Sequence, residues 1–414
     1  MWHSTIMPFP IAKWVVFLFF FALGASKDIF AKPSPIEYPE NTWSTVSAVT
    51  IGLDQARVKH LFDLSFQDQS TQGAALFVKG KLVYEQYADG FNKDSLATSW
   101  SMAKSFYAAL VGISIDRGEI NSLDDKVSQY LDYFQDDRRE MTIRQLLNMS
   151  SGLEMPDDEH EKMFFTKNHL AYAKKVELET EPDERFEYNN VNSMLLADIL
   201  FRATGVRADK LLKDRILKRI GMDHVTLWKD PANNPLSYCC IDTTVRQYAR
   251  FGLLFARGGK WQDQQIVPRT FIDQTFQLRR SDLADNIQIQ RGYSLHWWIS
   301  RYQQDAKIFS AKGKFGQRIF VDPENDMVFV RVTKYHSTGG DVIDWGPLRF
   351  FNQLGSVEFR RKLASILGQI GLINIHSDVR APMTFDDGIS NEFLSNYESI
   401  IDALAALNSP KPNI

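Results

Sequence analysis

Cysteine is almost missing from this 414-residue chain: there are two, and they are the neighbours Cys239 and Cys240. Adjacent cysteines rarely reach disulfide geometry, so no disulfide framework is expected. The eight histidines form no HExxH or other ligand spacing, and a Cys-Cys pair alone is a poor metal site, so neither a metal nor a cofactor is expected. Charge of one sign is not in excess either, with 48 Lys and Arg against 51 Asp and Glu. A net charge of −3 leaves no basic footprint for nucleic acid or an anionic membrane surface. There is no internal repeat and no long low-complexity segment. What remains, 44% hydrophobic and 24% charged residues, is the composition of a globular protein, long enough for one large domain or two to three ordinary ones.

The apolar run from Trp14 to Gly24 is short for a spanning helix. Lys13 precedes it, and Gly24, Ala25 and Ser26 close it with small residues, which are the parts of a secretory signal. Residues 1–35 are therefore read as a signal peptide or a retained N-terminal anchor and set apart from the fold. The expected location is outside the cytoplasm, periplasmic or secreted, with membrane contact only through an uncleaved segment.

Residues 73–87 alternate apolar and polar positions around Lys79-Gly80-Lys81, a β-hairpin pattern. Helical periodicity follows over 101–117, with Gly118 placed to stop it. The middle is helix-rich: Thr142 caps a short helix, and longer ones are expected over 191–204, ending at Gly205, and over 243–256. Strands return at 292–300 and at 316–332, where the turn Asp322–Asp326 joins two apolar strands. The sheet is thus split in sequence: 36–118 and 290–372 form a discontinuous sheet domain, 119–289 a helical domain and 373–414 a C-terminal extension. A helix near 356–370 is expected to pack back on the sheet.

Three separated pieces carry chemistry. Ser101 and Lys104 stand three apart at the head of a helix that otherwise looks made for burial, so an amine lies beside a hydroxyl that needs a base. A bare SxxK arises by chance about once in a chain this size, and a first-turn lysine is ordinarily solvated. Tyr188 and Asn190 form a Y-x-N ahead of another helix. A phenol with a depressed pKa could act as general base and the amide could orient a carbonyl or the lysine, or the pair could be a core tyrosine beside an Asn cap. The aromatic pair Trp297-Trp298 could line an acyl pocket or belong to the core.

The ordered segments "SWSMAKSF", "GISIDRGEI", "MTIRQLLNMSSGL", "FEYNN" and "FGQRIFVDPENDMVFV" together resemble the serine β-lactamase-related superfamily, on its class C, esterase and D,D-peptidase branch. They are most similar to the 6-aminohexanoate-dimer hydrolase type. The resemblance covers roughly residues 70–370. It implies an α+β fold, an antiparallel sheet flanked by helices with a helical domain inserted. It also implies Ser101 as acylated nucleophile, Lys104 as its partner, Tyr188 as general base and Asn190 as a further polar residue. The family's third element, a Lys-Thr-Gly or equivalent, falls by position at Ala311-Lys312-Gly313. No literal KTG exists there, and the N–H of Lys314 would complete an oxyanion hole with that of Ser101. The implied activity is an exported serine hydrolase of small amides or esters. The alternatives are a β-lactamase or D,D-carboxypeptidase, and a binding protein of the same fold without turnover.

Overall fold

The computed structural model describes Met1 and residues 36–408, apart from 156–158, 278–291, 304–305, 338–341, 345–347, 349, 352–356, 371, 377–379 and 383–390. The expected signal or anchor, and the sheet-domain boundary at 290, lie outside the described residues. Glu37–Ile414 form one compact unit.

The helix α1 (Gln55–Gln67) precedes a hairpin of β1 (Thr71–Val78) and β2 (Lys81–Tyr87). Its turn places Lys79 and Gly80 at positive φ, the conformation that matches the twist of a two-residue hairpin. Then come the helices α2 (Ala103–Asp116), α3 (Asn190–Thr204) and α4 (Val245–Ala256). The remaining strands of the main sheet are β3 (Tyr293–Ser294), β4 (Trp297–Tyr302), β5 (Lys307–Gly313), β6 (Gln317–Asp322) and β7 (Met327–Thr333). Two helices close the chain, α5 (Val357–Gln369) and α6 (Asn391–Ala406).

These seven strands form one antiparallel sheet in the order β2-β1-β7-β6-β5-β4-β3, so the early hairpin joins the late strands where β1 pairs with β7. Every residue of β1 and β7 is buried, because both faces are covered. On one face Ala75, Phe77, Ile319 and Val330 meet α2 and α4 in the main core. On the other Ala74, Leu76, Phe320 and Phe329 pack against Phe62 of α1 and Ile401 and Leu404 of α6. The segment beyond 372, read from sequence as an extension, therefore contributes a helix to the sheet's outer layer. The helix expected to do that, α5, buries Ala364 in a separate cluster with Ile373. Both segments carry helical apolar periodicity, and which one meets the sheet depends on where the chain between them runs.

The helix α2 is interior from Ala103 to Ser114, with Phe106 stacked on Phe251 at 3.5 Å between centroids. It shares its core with the sheet on one side and with Met194, Leu195 and Ile199 of α3 on the other. A helix apolar all round belongs in such a position. The cysteines Cys239 and Cys240, expected to stay unpaired, are bonded to each other across a cis peptide bond.

Candidate active site

Strand residues Leu96–Thr98 lead into the head of α2, and Ser99 fixes that approach. Its N–H donates to Ile241 O, and its Oγ accepts from the Ile241 N–H, both at 2.8 Å. A 3₁₀ turn, Trp100–Met102, follows. Trp100 has φ +46°, a conformation bulky side chains rarely adopt, and its ring is held against Phe315 at 5.4 Å. This turn sets Ser101, half-buried, at the start of α2.

Lys104 follows one turn later and is 1% exposed. Its Nζ lies 2.9 Å from Ser101 Oγ, 2.8 Å from Asn190 Oδ1 and 2.8 Å from the Tyr238 carbonyl. Burial pushes its pKa well below the ordinary lysine value. A neutral amine has two N–H donors and one lone pair. Two of the three neighbouring atoms can only accept, so Nζ donates to Asn190 Oδ1 and to the Tyr238 carbonyl, and loss of the lysine's third proton would turn its lone pair to the Ser101 hydroxyl. The alternative reading of Asn190 as a helix cap does not hold: Asn189 caps α3, and Asn190, the first residue of the helix, holds the lysine.

Tyr188 completes the group. Lys104 Nζ is 4.9 Å from its ring centroid, and its side chain hydrogen-bonds Ser101. Its pKa moves opposite to the sequence expectation: burial raises it, and the Ser101 hydrogen bond and Arg318 only partly oppose that. Burial thus keeps the phenol protonated. Neither His296 nor His169 substitutes as a base. His296 bonds Ser193 and Tyr293, with its pKa pushed down to about 3 by burial and then by Lys104. His169 bonds the Tyr238 hydroxyl.

The third element lies where expected by position, with a different division of labour. Gly313 at the end of β5 abuts the nucleophile turn so closely that a Cβ there would sit 2.1 Å from Ser99 O, which explains glycine at this place. Ala311 is fully buried in the main core and faces no substrate. Lys312, on the alternate face of the strand, places Nζ 4.5 Å from the Trp298 centroid and 5.1 Å from that of Tyr397. Lys314 and Phe315 form the following turn, Phe315 at φ +64°. The two tryptophans divide by the same alternation: Trp297 is core against Phe255, and Trp298 stacks on Tyr188 at 5.4 Å. No local pattern pointed to Tyr238, whose contribution is a backbone carbonyl, or to Arg318, Arg331 and Tyr397, which stand behind the third element.

A cavity of about 330 Å³ shares Asn190 with this group, while Ser101, Lys104 and Tyr188 are not in its wall. Met155, Met163, Tyr172 and Val191 give it apolar sides, and Glu154, Lys162 and Lys175 bring charge. Among the described residues, no group of three or more His, Cys, Asp or Glu could hold a metal ion.

A family model described as Beta-lactamase matches residues 58–351. The 6-aminohexanoate-dimer hydrolase of Paenarthrobacter ureafaciens is 21% identical over 292 residues, 65% of this chain and 74% of its own. The D-aminopeptidase of Brucella anthropi is 28% identical over 177 residues, 39% of this chain and 33% of its own. Among solved structures, a candidate 6-aminohexanoate-dimer hydrolase from Bacillus anthracis is similar with a TM-score of 0.64 at 19% identity, over 90% of this chain and 89% of its own. That last likeness is one of fold. A match that spans most of the chain, on a fold that sets a serine beside a buried lysine, places this protein in the Beta-lactamase family of serine hydrolases.

Proposed function

We propose that the chain hydrolyses small linear amides or esters through an acyl-enzyme on Ser101, with Lys104 as the base. The observation that carries this reading is the three-way bonding of a buried, charge-depleted amine whose remaining lone pair meets the Ser101 hydroxyl. As Oγ attacks the substrate carbonyl carbon, its proton passes to Nζ, and the carbonyl oxygen becomes an oxyanion. The phenol of Tyr188, hydrogen-bonded to Ser101 and kept protonated, is placed to deliver a proton to the departing nitrogen or oxygen as the C–N or C–O bond breaks. The Tyr188 phenolate takes back a proton from the Lys104 ammonium, so the neutral amine can accept a proton from water as the water attacks the acyl carbon; the C–Oγ bond then breaks, Oγ regains that proton and the acid leaves.

The substrate class rests on the third element and the cavity. Ala311 offers no cation, and burial, followed by Arg318, pushes the pKa of Lys312 well below the lysine range, so a β-lactam carboxylate finds a weak partner. A charge-assisted contact contributes about 1.5–3 kcal/mol. The expected result is a kcat/KM for p-nitrophenyl butyrate at least about tenfold above that for nitrocefin. A second reading, a β-lactamase or D-peptidase, is favoured by the position of Lys312 against Trp298. Nitrocefin turnover that exceeds the ester's and collapses in Lys312→Ala would establish it instead. Within the linear class, two lysines against one glutamate at the cavity favour a distal carboxylate over a distal ammonium. Exposed ion pairs contribute about 0.2–1 kcal/mol, so Lys175→Glu should lower kcat/KM for a carboxylate-ended amide by up to about fivefold and spare the neutral one.

We further propose export, on Lys13, the apolar run to Gly24 and the small residues that follow. N-terminal sequencing of native material should find a start between residues 25 and 32. An intact Met1 in the membrane fraction would instead mark a retained anchor.

A further inference from the structure

The turn Gly313–Gly316 between β5 and β6 is held from behind by two buried arginines. Arg318 is 5% exposed and donates from Nη1 to Gly313 O and to Gln317 O, each at 2.7 Å. Arg331, its cross-strand neighbour on β7, is 3% exposed and donates from Nη1 to Gly316 O at 3.1 Å. Each is fixed in turn. Arg318 packs its guanidinium 4.9 Å from the Tyr397 ring and 5.7 Å from the Phe393 ring, both on α6. Arg331 pairs with Asp68 at the end of α1 and bonds Thr71 Oγ1.

A trans peptide unit points its carbonyl and its N–H in opposite directions. The carbonyl of Gly313 and the N–H of Lys314 belong to one such unit. Drawing that carbonyl onto Arg318 therefore aims the Lys314 N–H away from the guanidinium. Gly313 itself lies against Ser99 O, and Phe315 against Trp100, so the nucleophile turn borders this peptide. We propose that Arg318 is a positioning residue for the oxyanion hole, holding the Gly313–Lys314 peptide with its N–H toward the oxyanion that forms at Ser101, while Arg331 fixes the far end of the same turn. This rests on the Ser101 acyl-enzyme reading and deepens it. Two arginines are buried here because a backbone donor preorganised by bonds to its own peptide does not have to reorient during the reaction.

The test compares Arg318→Met and Arg318→Lys with wild type on p-nitrophenyl butyrate, with active sites counted by fluorophosphonate titration and folding followed by thermal melting. Loss of one oxyanion donor lowers kcat about 10²- to 10³-fold. Arg318→Met should show a fall of roughly 10²-fold per active site with KM within about threefold. Its affinity for an alkylboronic acid, which forms a tetrahedral adduct on the serine, should fall in parallel. Arg318→Lys, whose single ammonium cannot serve both carbonyls from one place, should lose about three- to tenfold in kcat and recover most of the boronate affinity. If Arg318→Met does not fold, the Arg318→Lys values decide. Wild-type kcat and boronate affinity in either folded variant overturn the proposal, as does a change confined to KM. A wild-type protein that lacks Ser101-dependent turnover would instead overturn the acyl-enzyme reading, a separate failure.

Discussion

Ser101→Ala is expected to reduce kcat for every amide or ester substrate by about five to six orders of magnitude, the scale seen when a catalytic serine is removed from a group that acts as a unit. The substitution deletes one oxygen from a half-buried position and leaves Phe106, Ala109 and the rest of α2 in place. Stability should therefore change by less than about 0.5 kcal/mol. Two measurements check the assignment: a fluorophosphonate label should map to the peptide that contains Ser101, and steady-state hydrolysis should vanish in the variant. A label on another peptide, or hydrolysis that survives, would remove Ser101 from the chemistry.

Lys104→Arg and Lys104→Met should each lower kcat about 10²- to 10⁴-fold, the range for loss of a general base. Arginine puts a permanent cation there and fails as a base, because it does not give up its proton near neutral pH. In wild type, kcat/KM should fall as pH drops through the depressed pKa of Lys104, since protonation removes the lone pair that faces Ser101. The same depression couples to folding. The unfolded lysine binds a proton that the folded one refuses, so stability rises with pH between the folded and unfolded pKa values. Lys104→Met removes that slope and replaces a buried amine with an apolar chain of similar length. Urea titrations between about pH 6 and 9 should find the variant more stable than wild type at the acid end, with the difference narrowing as pH rises. A slope unchanged in the variant would mean that Lys104 is charged in the folded protein, and that Tyr188 must then take the base's part.

The ester to β-lactam ratio is the measurement that separates the two substrate readings. The outer helix α6 acquires an unexpected part through Tyr397 and Phe393, which hold Arg318. Truncation before Asn391 should on this account damage turnover as well as folding.

Local pattern was enough to determine the hairpin at 71–87, the capped helix at 143–147, α3 with its Gly205 stop, and α4. Each is dictated by turn chemistry, caps or an apolar period within a dozen or so residues. The serine and lysine on one helical turn were legible for the same reason, as was the Y-x-N before α3. Tertiary structure alone decided what Lys104 is: a lysine's charge state follows from its surroundings, and burial beside Ser101, Asn190 and the Tyr238 carbonyl, drawn from three separate stretches, depresses its pKa, while burial of Tyr188 raises that of the phenol. It also decided which late helix covers the sheet, since α5 and α6 carry similar apolar patterns and only the path of the chain assigns the place. The third element was beyond sequence for a related reason. Strand alternation sends Ala311 into the core and Lys312 to Trp298, and the arginines that hold Gly313 and Gly316 reach it from β6 and β7 through contacts that no local spacing encodes.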